Sequence, residues 1–532
     1  MFLSLKELIL VSIIGAIVFW LAKPIALLFS TPADFSRRRS VWYALTAVAF
    51  LSPNFWLFAF VAIPILAIAG RKDSNPSALY LILLNVIPPI DVPVPMIGMP
   101  YLFITNNQLL LSFCVMAPAA LRMTRSKNKA QVHGFDLMDF CLLAYGVLTA
   151  ILYVHSQTPD GGLYPGSVTE SLRRGFVFFF SIYVPYYSIS RADSSRRLLA
   201  DTMASFCLSC ALLSAIAVFE SARGWLLYGE MAERWGYAIS FSLYVARGAS
   251  LRAMASTGHS MALGYLLVVG VGLWLYLQTR VSVKRSRVGV TALIWSGLIA
   301  AYTRGAWIGG VLVYFIFAAL RPRAFSKLLK ASVAAMAIGV LVYLSPLGDR
   351  IVSVLPFLGG QVDNYNVVYR QRLLARSWEI IQESPMWGDQ SAILKMQDLR
   401  QGQGIVDIVN TYVGILLDDG FVGLTLFLLF IFIAAFKAWS LSRKSMQVDP
   451  DFGLLGASLV SCIVTMLVLF ENGSFGGGPE KMFYALAGLA AAYAYLGRSW
   501  QRDPKLRALD LSGAEPGGSI SPSVKLRSNV RG

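Results

Sequence analysis

The sequence predicts an all-α fold: a polytopic transmembrane helical bundle of about 12–14 helices, with a large loop region outside the membrane that itself contains helices. Three observations carry this expectation. Of 532 residues, 56% are hydrophobic and only 14% charged, with a mean hydropathy of +0.61; a soluble domain is about one quarter charged. Apolar runs of about 18 residues or more recur from end to end, the length a helix needs to cross hydrocarbon. The short alternating segments of a membrane barrel are missing from the sequence.

The elements follow in order. A first span over 8–29 is interrupted near its end by Lys23-Pro24 and lacks a small-residue cleavage site, so it is expected to be retained. The apolar stretch 41–70 is broken at Ser52-Pro53-Asn54, which either kinks one helix or divides two. A stretch over 78–90 runs into the turn-forming PPIDVPVP, and 101–121 follows it. Further spans are expected at 135–154, 175–188, 199–219, 260–277, 288–302, 308–320, 331–344, 421–436, 453–470 and 482–496. Together, residues 1–497 form one membrane domain. The Ser/Pro/Gly-rich basic tail 498–532 reads as a disordered cytoplasmic extension.

The net charge of +17 is concentrated in short loops near residues 126, 194, 284, 325 and 440. That is the pattern of cytoplasmic loops in a membrane protein rather than of a nucleic-acid-binding surface. Alternation from the basic tail then puts the two long polar interruptions, 220–259 and 346–419, on the periplasmic side together with Thr303-Arg304. All five cysteines lie in apolar stretches. Cys207 and Cys210 form a single C-x-x-C without a second pair or a nearby His, which suits small core residues better than zinc or redox chemistry. No His/Cys/carboxylate set has metal-ligand spacing, so neither metal nor cofactor is expected.

The large loop 346–419 is the candidate working part. Within it, YRQRLLARSWEIIQESPMWG reads as an amphipathic helix ending before Pro385, with Leu373, Leu374, Trp378 and Ile381 as its apolar stripe. Arg376 and Glu379 have the spacing of a surface pair. Arg370 stands at the expected helix start, where a cation gains nothing from the dipole, and so is the better candidate to meet an outside anion. Arg304, between two apolar runs in YTRGAWIGG, either snorkels to headgroups or forms an anion site.

Three stretches together resemble the O-antigen ligase and O-antigen polymerase superfamily of bacterial envelope glycosyltransferases: MASTGHSMALGYLLVVG (254–270), YTRGAWIGG, and the pair YRQRLLARSWEIIQESPMWG and NTYVGILLDDGFVGLTLFL (410–428). The resemblance spans roughly 200–440. It implies a metal-independent glycosyltransferase in the bacterial inner membrane, acting on a polyprenyl-diphosphate-linked oligosaccharide donor and a glycan acceptor, with chain-length regulators or export proteins as further partners. It implies diphosphate binding by Arg304 and Arg370, with Arg372 as a secondary candidate. Where the family often has His before the Asn of the last motif, this chain has Val409. That departure favours polymerase over ligase and leaves Asp407, His259 or Asp418 to accept the acceptor's proton, Asp407 being nearest. A transporter or flippase of lipid-linked glycans is the alternative. It would be expected to show paired repeats and charges at mid-membrane, and neither is evident in the sequence.

Overall fold

A computed structural model describes residues 2–125, 134–156, 166–192, 195–236, 246–247, 250–344, 364–400, 406–473 and 478–502. The tail beyond 502 and the first part of the long loop, with Asp349, Arg350 and Asp363, lie outside the described residues.

The chain is a multi-pass, all-α membrane protein. Among the described residues, seven helices are long and apolar enough to cross a membrane: Ser4–Ala26, Phe55–Lys72, Leu137–His155, Arg196–Arg223, Ser260–Arg280, Thr411–Val448 and Pro450–Asn472. Two shorter apolar helices are Arg304–Ala319 and Leu328–Leu341. The expected spans 101–121 and 175–188 are helices interrupted by π-helical turns, Ser112–Met116 and Phe179–Tyr183. The stretch 78–90 is helical only over Pro76–Leu83, because Pro88 and Pro89 stop it from continuing.

In chain order the first helices are α1 (Phe2–Ala26), α2 (Pro32–Leu51), α3 (Phe55–Lys72) and α4 (Pro76–Leu83). Ser52-Pro53-Asn54 divides α2 from α3, and the Asn54 side chain caps α3 by accepting from the Leu57 amide. Then come α5 (Asn107–Leu111), α6 (Ala117–Arg125), α7 (Leu137–Leu152), α8 (Val168–Phe178), α9 (Val184–Ala192), α10 (Arg196–Arg223) and α11 (Gly229–Arg234). The last are α12 (Ser260–Leu277), α13 (Lys284–Ala300), α14 (Arg304–Ala319), α15 (Ala324–Tyr343), α16 (Asn364–Glu383), α17 (Thr411–Val448), α18 (Pro450–Leu469) and α19 (Gly478–Arg502).

The core sits around α12. It is apolar on every face and almost wholly buried, as a helix without a polar stripe must be. The Cys207 and Cys210 thiols pack against it, near the carbonyls of Gly270 and Leu266. Neighbouring helices approach closely at Gly264, where a Cβ would lie 2.6 Å from the Ala306 methyl.

Charges sort to the two ends of this bundle. At one end arginines pair across helices. Arg38 bridges Asp73 (2.8 Å) and Asp201 (2.7 Å), Arg191 meets Asp139, and Arg196 meets Asp449 and Asp451. Leu275, Phe317 and Ala457 pack together there, so the basic loops after α12, α14 and α17 share that end. The opposite end is tied by polar contacts between loops. The Tyr265 hydroxyl donates to the Leu469 carbonyl (2.9 Å) and the Thr411 hydroxyl to the Gly473 carbonyl (2.7 Å).

At that second end α17 is broken. Gly420 has φ +63 and ψ −166, which is not helical. A break inside an apolar helix strands backbone groups that lipid cannot satisfy. The turn after α16 satisfies them: the Phe421 and Val422 amides donate to the carbonyls of Pro385 (2.8 Å) and Met386 (3.2 Å), and the Asp389 amide donates to the Leu417 carbonyl (2.6 Å). The approach requires glycine on both sides. Gly388 is at φ +71, and a Cβ there would lie 2.6 Å from the Gly420 nitrogen; a Cβ on Gly420 would collide in turn with Met386.

Gly388→Ala and Gly420→Ala should each destabilise by about 1–3 kcal/mol, combining a left-handed backbone with overpacking. Gly414→Ala, where a Cβ would meet only the Ile408 methyl at 3.7 Å, should leave the melting temperature in detergent unchanged. Equal melting temperatures for all three variants would exclude the interlock.

Candidate active site

Two strained loops lead into the helices that carry the candidate residues. The first, 253–259, is held by Glu220 at the end of α10. This carboxylate is fully buried and accepts from the amides of Leu227 (3.0 Å), Met254 (3.0 Å) and Ala255 (2.8 Å). Ala255 has φ +47, left-handed for a residue with a Cβ, a conformation that costs about 1–3 kcal/mol and persists only where its surroundings impose it.

The loop ends at His259, which caps α12: its Nδ1 accepts from the Met261 amide at 3.1 Å. Burial, assisted by the Arg252 guanidinium, lowers the His259 pKa to about 4. The ring is therefore neutral at physiological pH. Because Nδ1 is an acceptor, the proton sits on Nε2. In this arrangement His259 has a capping lone pair and an N–H to offer, and neither ring nitrogen is open to take a proton.

The second loop brings in Tyr302, again left-handed at φ +47, before Thr303 and Arg304 open α14. The Thr303 hydroxyl accepts from the Arg252 guanidinium at 3.3 Å. Arg252 thus connects the His259 loop to the start of the Arg304 helix.

The third contributor is α16. It begins at Asn364, so Arg370 lies in its second turn and not at its start as the sequence suggested; the dipole argument for Arg370 does not hold. Arg370 instead donates to the Asn472 side-chain oxygen at 2.9 Å, beside the end of α18. One residue earlier, the Tyr369 hydroxyl donates to the Asp407 carbonyl (3.1 Å) and accepts from the Asp407 amide (3.0 Å). This double bond to the backbone fixes Asp407 against α16. Burial raises the Asp407 pKa above the usual carboxylate value, and nearby Arg370 acts against that shift. Arg370, Asp407, Asn472 and Tyr265 are therefore neighbours at one end of the bundle. Arg372 is exposed, and Arg376 pairs with Glu379 at 2.7 Å as its spacing predicts.

Asp418, just ahead of the break in α17, has different surroundings. Its charged neighbours are Asp419, Arg174 and Asp389. Next to it, Asp419 is buried and accepts from Gln390 (2.8 Å) and Thr149 (3.4 Å). Arg174 lies over the Tyr153 ring at 3.5 Å. The structure thus gathers Arg370 with Asp407, and His259 with Arg252 and the start of the Arg304 helix. It gives Asp418 other company.

Sequence reasoning missed Arg252, Arg174 and Asn472, which lie in loops or helices far from the large loop and carry no spacing signal. Among the described residues, no three His, Cys or carboxylate groups come together as a metal site. What the first group offers is fixed positive charge, a neutral amide, and a carboxylate made more basic by burial. That combination can hold an anion while accepting a proton.

Residues 289–428 match the family model described as O-antigen ligase. That segment is O-antigen ligase-like and includes Arg304, Arg370, Arg372, Asp407, Asp418 and both interlocking glycines; His259 and Arg252 precede it. No curated protein matches the chain.

A His buried as the neutral form binds its proton more weakly when folded, so stability falls as pH drops from the unfolded value of about 6.5 toward 4 and is unaffected above it. His259→Asn keeps a capping oxygen without the titration. Its melting temperature should fall less than wild type's over that window. Parallel curves would show that His259 titrates normally.

Proposed function

We propose that the protein is a polyprenyl-diphosphate-dependent glycosyltransferase that polymerises, or ligates, lipid-linked oligosaccharide units into an exopolysaccharide or O-antigen at the periplasmic face of a bacterial inner membrane. The observation that carries the reading is the meeting of Arg370 and Asp407 at one end of the bundle, inside the O-antigen ligase-like segment.

In this reading the acceptor hydroxyl attacks the anomeric carbon of the donor sugar, the bond from that carbon to the diphosphate oxygen breaks, and the lipid diphosphate leaves with the electron pair. Asp407 takes the hydroxyl proton. Negative charge grows on the leaving diphosphate, and guanidiniums fixed in advance stabilise it more than they stabilise the ground state. Arg370 and Arg304 fill that role, with Arg372 two residues on from Arg370, on a different face of α16, and Arg252 bonded to Thr303. The hydrogen bond of Arg370 to a neutral amide supports this, because the amide orients the guanidinium without cancelling its charge. Polymerase is favoured over ligase by Val409, where a ligase would be expected to carry His.

Purified protein with lipid-linked repeat units in detergent tests the proposal, since chain growth there needs an enzyme and no sealed compartment. Arg304→Ala and Arg370→Ala should abolish most polymer at normal protein levels, and Lys at either position should restore it only partly because the planar fork is lost. Asp407→Asn should lower turnover by at least about 10²-fold with donor affinity little changed. Normal polymer from both Arg→Ala variants would overturn the diphosphate assignment. Normal turnover in Asp407→Asn together with loss in Asp418→Asn would move the base to Asp418, among the Arg174 and Asp389 neighbours.

A further inference from the structure

The apolar stripe expected on α16 divides in two. Leu373 and Ile381 are buried, together with Tyr369, Ser377 and Ile380. Leu374 and Trp378 turn away from that core and are 58% and 52% exposed, with Val367 beside them on the same face. The charged residues Arg372, Arg376, Glu379 and Glu383 occupy the remaining face. An amphipathic helix already packed through one apolar face has no need of a second one in water. Leaving Leu374 and Trp378 in water forfeits the transfer free energy of two large side chains.

The exposed face does not end with the helix. Met386 and Trp387, just after it, are each 54% exposed. The carbonyls of Pro385 and Met386 accept from the amides of Phe421 and Val422, where the part of α17 beyond the break begins. From Phe421 the exposed ridge of α17 runs on through Leu428, Leu429, Phe432 and Phe436, the surface by which a membrane-crossing helix meets lipid. The α16 ridge is therefore continuous with a lipid-facing surface. Tryptophans at its upper end are the residues that favour the boundary between hydrocarbon and water.

We propose that α16 and the Met386-Trp387 turn lie in the outer headgroup region of the bilayer, with Leu374, Trp378, Met386 and Trp387 in contact with lipid and the Glu379 face in water. Arg370 falls on α16 between the buried face and the lipid face. Seating the helix this way holds that guanidinium at headgroup depth, where the anionic group of any membrane-anchored phosphate ester would stand. The lipid contact does not depend on the glycosyl-transfer reading, and its test uses no substrate.

The test is nitroxide depth measurement on the full chain in phosphatidylethanolamine–phosphatidylglycerol nanodiscs. Leu374→Cys, Trp378→Cys, Trp387→Cys and, as the water reference, Glu379→Cys are labelled one at a time. The background is Cys114→Ala, because the other four native cysteines are buried. Collision with oxygen, which partitions into the bilayer, is compared with collision with a water-soluble nickel chelate. The oxygen-to-nickel ratio should be several-fold higher at 374, 378 and 387 than at 379. Ratios at 374, 378 and 387 equal to that of 379 would overturn the proposal, as would shielding of 374, 378 and 387 from both reagents, the signature of a second protein copy covering the ridge.

Discussion

A broken helix in an apolar surrounding must find partners for the backbone groups it releases, and much of one end of this molecule is arranged by that requirement. The break at Gly420 is satisfied by the turn at 385–389. The turn can reach α17 only because Gly388 and Gly420 face each other without side chains. Once the turn is fixed, so is the end of α16, and with it the direction in which α16 leaves the bundle. Tyr369 then grips the Asp407 backbone and Arg370 reaches Asn472. The two glycine-bearing motifs, separated in sequence by some thirty residues, are one structural device.

That device explains what could be read from the sequence and what could not. Hydropathy was enough for the all-α membrane fold, since the length of an apolar run states its own purpose. Proline and asparagine at 53–54 announced a boundary without saying whether it was a kink or a break; the Asn54 cap makes it a break. The amphipathic character of α16 was legible, but its apolar stripe was one merged signal from two faces, because periodicity cannot distinguish burial in protein from burial in lipid. Leu373 and Leu374 are adjacent in the sequence and meet different surroundings. The charged neighbours were the least legible. Arg252 joins the site through Thr303, and Asn472 through Arg370, across separations that no local pattern encodes.

Charged side chains serve two purposes in this bundle. Where Arg38 meets Asp73 and Asp201, and Arg196 meets Asp449 and Asp451, each guanidinium is matched by carboxylates from other segments. Pairs of this kind add little net stability after desolvation, but they do select which helices may meet. At the opposite end, the fully buried carboxylate of Glu220 is spent on three backbone amides and the guanidinium of Arg370 on a neutral amide. Both uses orient a loop or a side chain without pairing one charge against its opposite.

The second use bears on how the Arg370 end of the bundle can work. A site that must hold an anion during one step and release it in the next gains from charge that is oriented yet not quenched. The left-handed backbones at Ala255 and Tyr302 lie in loops at this same end: one leads to the His259 cap of α12 and the other to Arg304 at the start of α14, and each is tolerated because neighbouring contacts impose it. The ion pairs at the first end supply rigidity against which such strained loops can be kept in place. The helices between the two ends transmit it, because a core packed as tightly as α12 allows little relative movement of the segments around it.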